Sequence, residues 1–159
     1  MALHKTFSII VIASKDEKDF SLLKKLKDKF SGHEIILAID ADNELSIESL
    51  NDINLNINKL VKVPNSTRGK SLNAGALKAE NNYLWFLHID SRIDKIQKED
   101  LDRVQKKQLN YFKLAFDNKK NTINASGANF RSKNFDLPFG DQWLYLFLDF
   151  FTDLVLRVL

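Results

Sequence analysis

Three short stretches bring together side chains able to hold a metal and an anion. His88-Ile89-Asp90 comes directly after an apolar run, so Asp90 would stand at the end of a strand. A hard divalent cation such as Mg²⁺ or Mn²⁺ takes one or two carboxylates and fills its shell with phosphate oxygens and water. A turn or cap aspartate suits the same position. His88, two residues earlier, projects to the same side of an extended chain and could touch the metal or a diphosphate; a half-buried strand histidine has the same signature. Arg68, within Ser66-Thr67-Arg68-Gly69-Lys70, lies in a loop before a helix, where a guanidinium and helix N-terminal amides can share an anion. The alternative for Arg68 is a solvated surface cation. Asp16 and Asp40 close two further apolar runs, the usual place for carboxylates that hydrogen-bond a base or ribose hydroxyl.

The elements that must position these residues follow a β-α-β-α-β rhythm. Phe7 to Ala13 is a continuous β-branched run, as in a strand buried on both faces. Phe20, Leu22, Leu23, Leu26 and Phe30 recur at helical spacing, and Ser31-Gly32 stops that helix. A strand follows from Glu34 to Ile39, then a helix from Ser46 with Ile47, Leu50 and Ile53 on one face, then a strand from Lys59 to Val63 closed by Pro64. A small-residue helix through Leu72, Ala74, Ala76, Leu77 and Ala79 precedes the strand from Tyr83 to Leu87; within this unit Asn73 to Gly75 also reads as a turn. A charged helix is expected from Lys98 to Gln108 and a strand from Asn110 to Phe116, followed by a polar stretch with no clear element. Such an order predicts a parallel sheet with right-handed crossovers and its ligand at the carboxyl ends of the strands. The loops at 13–17, 40–44, 64–70 and 88–92 are therefore expected to converge on one cleft. Gly140-Asp141-Gln142 is either a plain turn or a means of presenting Asp141 and Gln142 to sugar hydroxyls.

Composition narrows the class. The 159 residues are 44% hydrophobic and 28% charged, with no cysteine, which suits one domain that folds without disulfides or thiolate metal sites. The 24 basic and 21 acidic residues leave a net charge of +3 and are interleaved, so no basic block marks a nucleic-acid partner. The apolar run near the N-terminus is too short for a secretory signal, and a cytoplasmic protein is expected. Trp143 to Leu159 is almost wholly apolar. Its charges, Asp149, Asp153 and Arg157, would form one stripe on a helix, and they argue against a membrane span. A strand from Leu144 to Leu148 followed by a helix capped by Asp149 fits as well.

Taken together, SIIVIAS, EIILAID, the Arg68 loop with LNAGA, WFLHIDSRI, KLAFD, GANFRS at Gly127 to Ser132 and LPFGDQ at Leu137 to Gln142 resemble the family 2 glycosyltransferases, in the bacterial subgroup whose metal motif reads His-x-Asp. The resemblance implies an α/β GT-A fold, a Rossmann-like, mostly parallel sheet flanked by helices. It also implies inverting transfer of a sugar from a UDP- or GDP-linked donor with Mn²⁺ or Mg²⁺. On that reading Ala13, Asp16, Asp40, Arg68, Asn73, His88 and Gln142 would contact the nucleotide sugar, Asp90 would ligate the metal, and Asp141 would serve as the catalytic carboxylate. The family continues past Gly-Asp-Gln to a Glu-Asp pair that supplies the base, a segment without a counterpart before Leu159. A shortened chain is therefore expected, with a non-catalytic nucleotide-sugar-binding protein as the alternative. Its apolar C-terminal segment would then favour homo-oligomers or contact with a membrane surface.

Overall fold

Phe7–Ala13 is apolar at nearly every position because it is covered on both sides and paired on both edges. The computed structural model describes residues 5–52, 55, 57–104, 110–111 and 144–147. In chain order the elements are β1 (Phe7–Ala13), α1 (Ser21–Lys29), β2 (Glu34–Asp40), α2 (Ile47–Asp52), β3 (Lys59–Val63), α3 (Arg68–Ala76), β4 (Tyr83–His88), α4 (Lys98–Asp102), β5 (Asn110–Tyr111) and β6 (Leu144–Phe147). The strands form one sheet in the order β3-β2-β1-β4-β6-β5. Its first four strands are parallel, and β6 is antiparallel to both β4 and β5. This is the α/β architecture expected, a mostly parallel sheet flanked by helices.

The two-residue period of a strand divides the core. Ile9, Val11, Leu37, Trp85 and Leu87 face α1, where Leu22, Leu23, Leu26 and Phe30 are buried, and Leu50 of α2 joins the same cluster. Phe30 meets Trp85 edge to face, ring centroids 5.2 Å apart, a favoured aromatic geometry. Ile10, Ile12, Ile36, Ala38, Leu84 and Phe86 face the other way, toward Ala76 of α3. α1, α2 and α4 lie on one face and α3 on the other; the separate placement of α3 follows from right-handed crossovers when β4 joins the far side of β1.

Local signals explain several element ends. Gly32 turns the chain after α1 at φ 94°, a conformation that suits glycine. Ser46 and Ser49 exchange hydrogen bonds at the start of α2, the Ser49 amide donating to Ser46 Oγ at 3.1 Å and the Ser46 amide to Ser49 Oγ at 2.9 Å. The expected helix from Lys98 to Gln108 ends sooner, at Asp102, with Arg103 as its cap. Its last carbonyls are engaged elsewhere: Lys5 Nζ donates to the Asp102 carbonyl and, at 2.6 Å, to that of Val104. The segment read as either a helix or a strand near Leu144 is a strand across Leu144–Phe147. The expectations for 112–116, for Asp149 onward and for a C-terminal assembly or membrane surface fall outside the described residues. No helix among the described residues is long and apolar enough to cross a membrane.

The amino edge of the sheet is closed by a polar network. Glu34, at 8% exposure, accepts from Ser8 Oγ, from the Glu80 amide at 3.0 Å, and from Lys59 Nζ at 2.7 Å. Lys59 also reaches Glu80 at 2.7 Å and the Lys78 carbonyl at 2.7 Å. Burial works to raise the Glu34 carboxyl, but the Glu80 amide, Lys59 and Ser8 outweigh it and hold it below its usual value. His33, whose Nδ1 accepts the Phe7 amide at 3.1 Å, is pushed down by burial and then by Lys98, against the pull of Asp102.

Two predictions follow from this packing. A Cβ placed on Gly75 would lie 2.4 Å from Ile10 Cγ2, and Ile10 is wholly buried and β-branched, so it cannot swing aside. Gly75→Ala therefore loses about 1–3 kcal/mol to overpacking, more than the roughly 1 kcal/mol that alanine adds in a helix. Denaturant unfolding that shows equal or greater stability would mean α3 can lift off β1 freely. The lowered His33 and Glu34 values carry the same sign, since in each case the unfolded chain takes up a proton before the folded one. Stability is expected to fall in two steps on acidification, first below the ordinary histidine value of 6.5 and again below the ordinary glutamate value of 4.5. Glu34→Gln should shrink the second step, to which the lowered carboxyls of Asp19, Asp40 and Glu48 also contribute, and cost about 1–3 kcal/mol at neutral pH, because the donors around it lose a charged acceptor. An unchanged acid limb in urea titrations would show that Glu34 is not among the groups responsible.

Candidate functional site

Among the parallel strands the order reverses once. The chain moves outward from β1 through β2 to β3, then returns to place β4 on the other side of β1. β1 and β4 end side by side at the carboxyl edge, and the segments that follow them, α1 and 89–104, pack together on one face of the sheet, where Lys29 Nζ donates to the Asp94 carbonyl at 2.7 Å. Ala13 to Asp16 and His88 to Asp90 border each other on that edge. Ile12 is in register with His88, and the Ile89 amide donates to the Ile12 carbonyl at 3.0 Å, so the two borders are fixed to each other by backbone.

His88 continues the parity of Leu84 and Phe86, so it leaves β4 on the face that α3 covers. Its Nδ1 lies 2.7 Å from Asp90 Oδ1, and the Asp90 side chain is 80% exposed. The Ser91 hydroxyl accepts the His88 amide at 3.1 Å and the Ser91 amide returns to the His88 carbonyl at 2.9 Å, holding the turn that makes the pair. The expectation that both side chains share one side is met. Among the described residues no group of three or more His, Cys, Asp or Glu could hold a metal. One exposed carboxylate beside one imidazole fits a cation only where ligand oxygens complete the shell, as Mg²⁺ and Mn²⁺ accept from phosphates.

The other loops of this edge are sewn together. Asp40 Oδ2 accepts the Ser66 amide at 3.0 Å and the Ser66 hydroxyl at 2.6 Å, while Oδ1 accepts the Asp42 amide at 2.9 Å. The Ser66 hydroxyl first, then the Asp42 and Ser66 amides, hold the Asp40 carboxyl below its usual value. Asn43 Nδ2 donates to the Lys15 carbonyl at 2.7 Å, Lys15 faces Asp42 at 3.6 Å, and Lys62 Nζ donates to the Asn43 carbonyl. The loops after β1, β2 and β3 thus form one continuous rim, as expected of 13–17, 40–44 and 64–70.

Two placements differ from the sequence reading. Arg68 is not in a loop but is the first residue of α3, with Thr67 as the N-cap, its Oγ1 accepting the Lys70 amide at 3.3 Å. Capping by Thr67 starts the helix one residue before Gly69, which removes the loop. Asn73 to Gly75 is not a turn but helix interior; the Leu77 amide bonds the Asn73 carbonyl at 3.0 Å. Ser71, Gly75 and Ala76 face the sheet, which leaves Asn73 exposed on the outer side. Ala13 is buried and Asp16 is exposed, with no hydrogen bond or ion pair among the described residues. Asp141 and Gln142 lie outside the described residues.

Sequence reasoning passed over Ser66, Thr67 and Asn43 as participants. The available signals were Pro64-Asn65, a turn pair, and the Asp and Asn cluster at 40–43, whose side chains cap nearby amides. A hollow of about 630 Å³ lies at the opposite edge, lined by residues that include His33, Glu34, Asn58, Lys59 and Asn81. Its polar groups are committed to one another and to backbone, as with Asn58 Oδ1 to the Ile35 amide at 2.7 Å and Asn81 Nδ2 to the Phe7 carbonyl at 3.2 Å.

No protein-family model matches the chain, and no curated protein shows significant similarity to it. Among solved structures it is similar to TarS of S. aureus, at 22% identity over 54% of this chain and 16% of that one, with a TM-score of 0.43. A TarS fragment spanning residues 1–349 overlaps 61% of this chain and 30% of its own length at 22% identity, with a TM-score of 0.45. The chain thus spans less than a third of either structure, and no residue role is carried across.

Asn65 occupies the left-handed region at φ 48° after Pro64, whose ring presets the first turn angle. Asparagine tolerates that conformation and a β-branched residue does not. Asn65→Val is expected to cost about 1–2 kcal/mol and Asn65→Gly roughly 0.5 kcal/mol or less. Thermal unfolding of both variants checks this, and an equal response would place the turn in another conformation.

Proposed function

We propose that the chain binds a nucleoside diphosphate sugar at the carboxyl edge of its sheet and transfers the sugar to an acceptor, as a GT-A glycosyltransferase does. The single observation that carries this reading is the His88–Asp90 pair at 2.7 Å, standing at the end of β4, where the order of the parallel strands reverses. The resemblance of the sequence segments supports it independently.

In this reading Ala13 and Asp16 border the nucleoside. Arg68 and the first amides of α3 meet the diphosphate, where the helix N-terminus favours negative charge. Asp90, with His88 beside it, would hold Mn²⁺ or Mg²⁺ together with diphosphate oxygens. A bound cation would neutralise charge that develops on the leaving diphosphate. In the transfer, the acceptor hydroxyl oxygen forms a bond to the anomeric carbon from the face opposite the leaving group. The bond from that carbon to the diphosphate oxygen breaks, and the hydroxyl proton passes to a carboxylate, for which Asp141 is the candidate.

The test is calorimetric titration with UDP- and GDP-sugars with and without Mn²⁺, joined to a transfer and hydrolysis assay. One donor class should bind in a Mn²⁺-dependent way. Asp90→Ala should weaken that binding by roughly tenfold or more, the scale of one lost charge-assisted contact, and Asp141→Ala should abolish turnover while sparing binding. No heat with any donor would sink the reading. Donor binding that depends on Asp90 but never yields turnover would make the chain a nucleotide-sugar-binding protein instead of an enzyme.

A further inference from the structure

Resting on that reading, the geometry points to Asp40 as a positioning residue: it holds Ser66 so that Thr67, Arg68 and the first amides of α3 meet the diphosphate, and it does not read the base. Asp40 is 8% exposed. A carboxylate offers about four acceptor directions, and three are already filled from within the chain by the Asp42 amide, the Ser66 amide and the Ser66 hydroxyl. Recruiting it to a base would mean surrendering donors that it already satisfies at 2.6 to 3.0 Å.

What lies beyond Ser66 explains why the tie matters. Pro64 limits one backbone angle, Asn65 sits at φ 48°, and Thr67 caps α3. These three restraints are local to the loop. Asp40 ties the loop to another strand, and Asp40 is itself anchored, because the next residue extends the β2–β3 pairing through the Ala41 amide to the Val63 carbonyl at 3.0 Å. Cutting the tie lets the start of α3 explore orientations in which Arg68 and the free amides no longer point at one place. Ligand then bears the ordering cost, and affinity falls without any lost contact.

The experiment compares wild type with Asp40→Asn, Ser66→Ala, the double variant and Ser66→Thr. Each is titrated with UDP, GDP and inorganic pyrophosphate in the presence of Mn²⁺, with thermal unfolding as a check on the fold. Asp40→Asn and Ser66→Ala should each weaken every ligand that wild type binds by a similar factor, roughly tenfold. The double variant should be no weaker than the worse single, as expected for two residues acting through one bond. Ser66→Thr, which keeps the amide and hydroxyl, should bind like wild type. Amide exchange at 66–68 should quicken in both weakened variants. A loss confined to one nucleotide with pyrophosphate binding unchanged, or a Ser66→Ala variant that binds normally, overturns the positioning role and leaves the nucleotide-sugar reading standing. Wild type that binds none of the three overturns both. If Asp40→Asn does not fold, Ser66→Ala alone decides the question, since it removes one hydroxyl from a half-buried loop residue.

Discussion

The contact between Gly75 and Ile10 brings α3 down onto β1, and the arrangement of the carboxyl edge depends on that closeness. A helix with side chains at this position would ride higher over the sheet, and its N-terminus would move with it. Because α3 runs antiparallel to the strands, its start lies at the same edge as the ends of β1 and β4, on the face from which His88 emerges. One missing side chain thus fixes the height at which Thr67 and Arg68 stand over the carboxyl edge. Ile10 can accept the role because β1 is paired with β2 on one side and β4 on the other, so the strand cannot yield.

The two edges of the sheet use polar residues in opposite ways. At the amino edge, Ser8, Glu34, Lys59 and Glu80 satisfy one another and leave little for a ligand; their work is to hold three strands in register where the helices do not reach. At the carboxyl edge, Asp40 spends its carboxylate on Ser66 and Asp42, and that expenditure organises the loops around groups that remain solvent-facing, above all Asp90. A buried carboxylate that is fully satisfied makes a frame, whereas an exposed carboxylate beside an imidazole can still take a ligand. Burial and hydrogen-bond saturation, more than residue type, separate these two uses of the same chemistry.

Much of the fold was legible because the strands are buried on both faces. Phe7 to Ala13, Glu34 to Ile39 and Tyr83 to Leu87 stand out as unbroken apolar runs, since neither face needs a polar residue. The amphipathic α1 was equally plain from Leu22, Leu23 and Leu26. The end of α4 was less so, because Lys5, nearly a hundred residues earlier, takes its last carbonyls. Arg68 was misplaced by a residue or two because a cap at Thr67 competes with the loop signal of Pro64, Asn65 and Gly69, and in the fold the cap prevails.

By itself the sequence determined the strands, the helix that packs closely through small residues, and the expectation that strand-end residues such as Asp40, His88 and Asp90 would gather at one edge. Local periodicity and turn chemistry suffice for these, since each is written within a few residues. Only the tertiary structure decided that β4 lies beside β1, that Asp40 is consumed by Ser66 while Asp90 stays exposed, and that Asn73 faces outward. These are non-local outcomes. They depend on which faces are buried against which, and no window of the chain contains both partners.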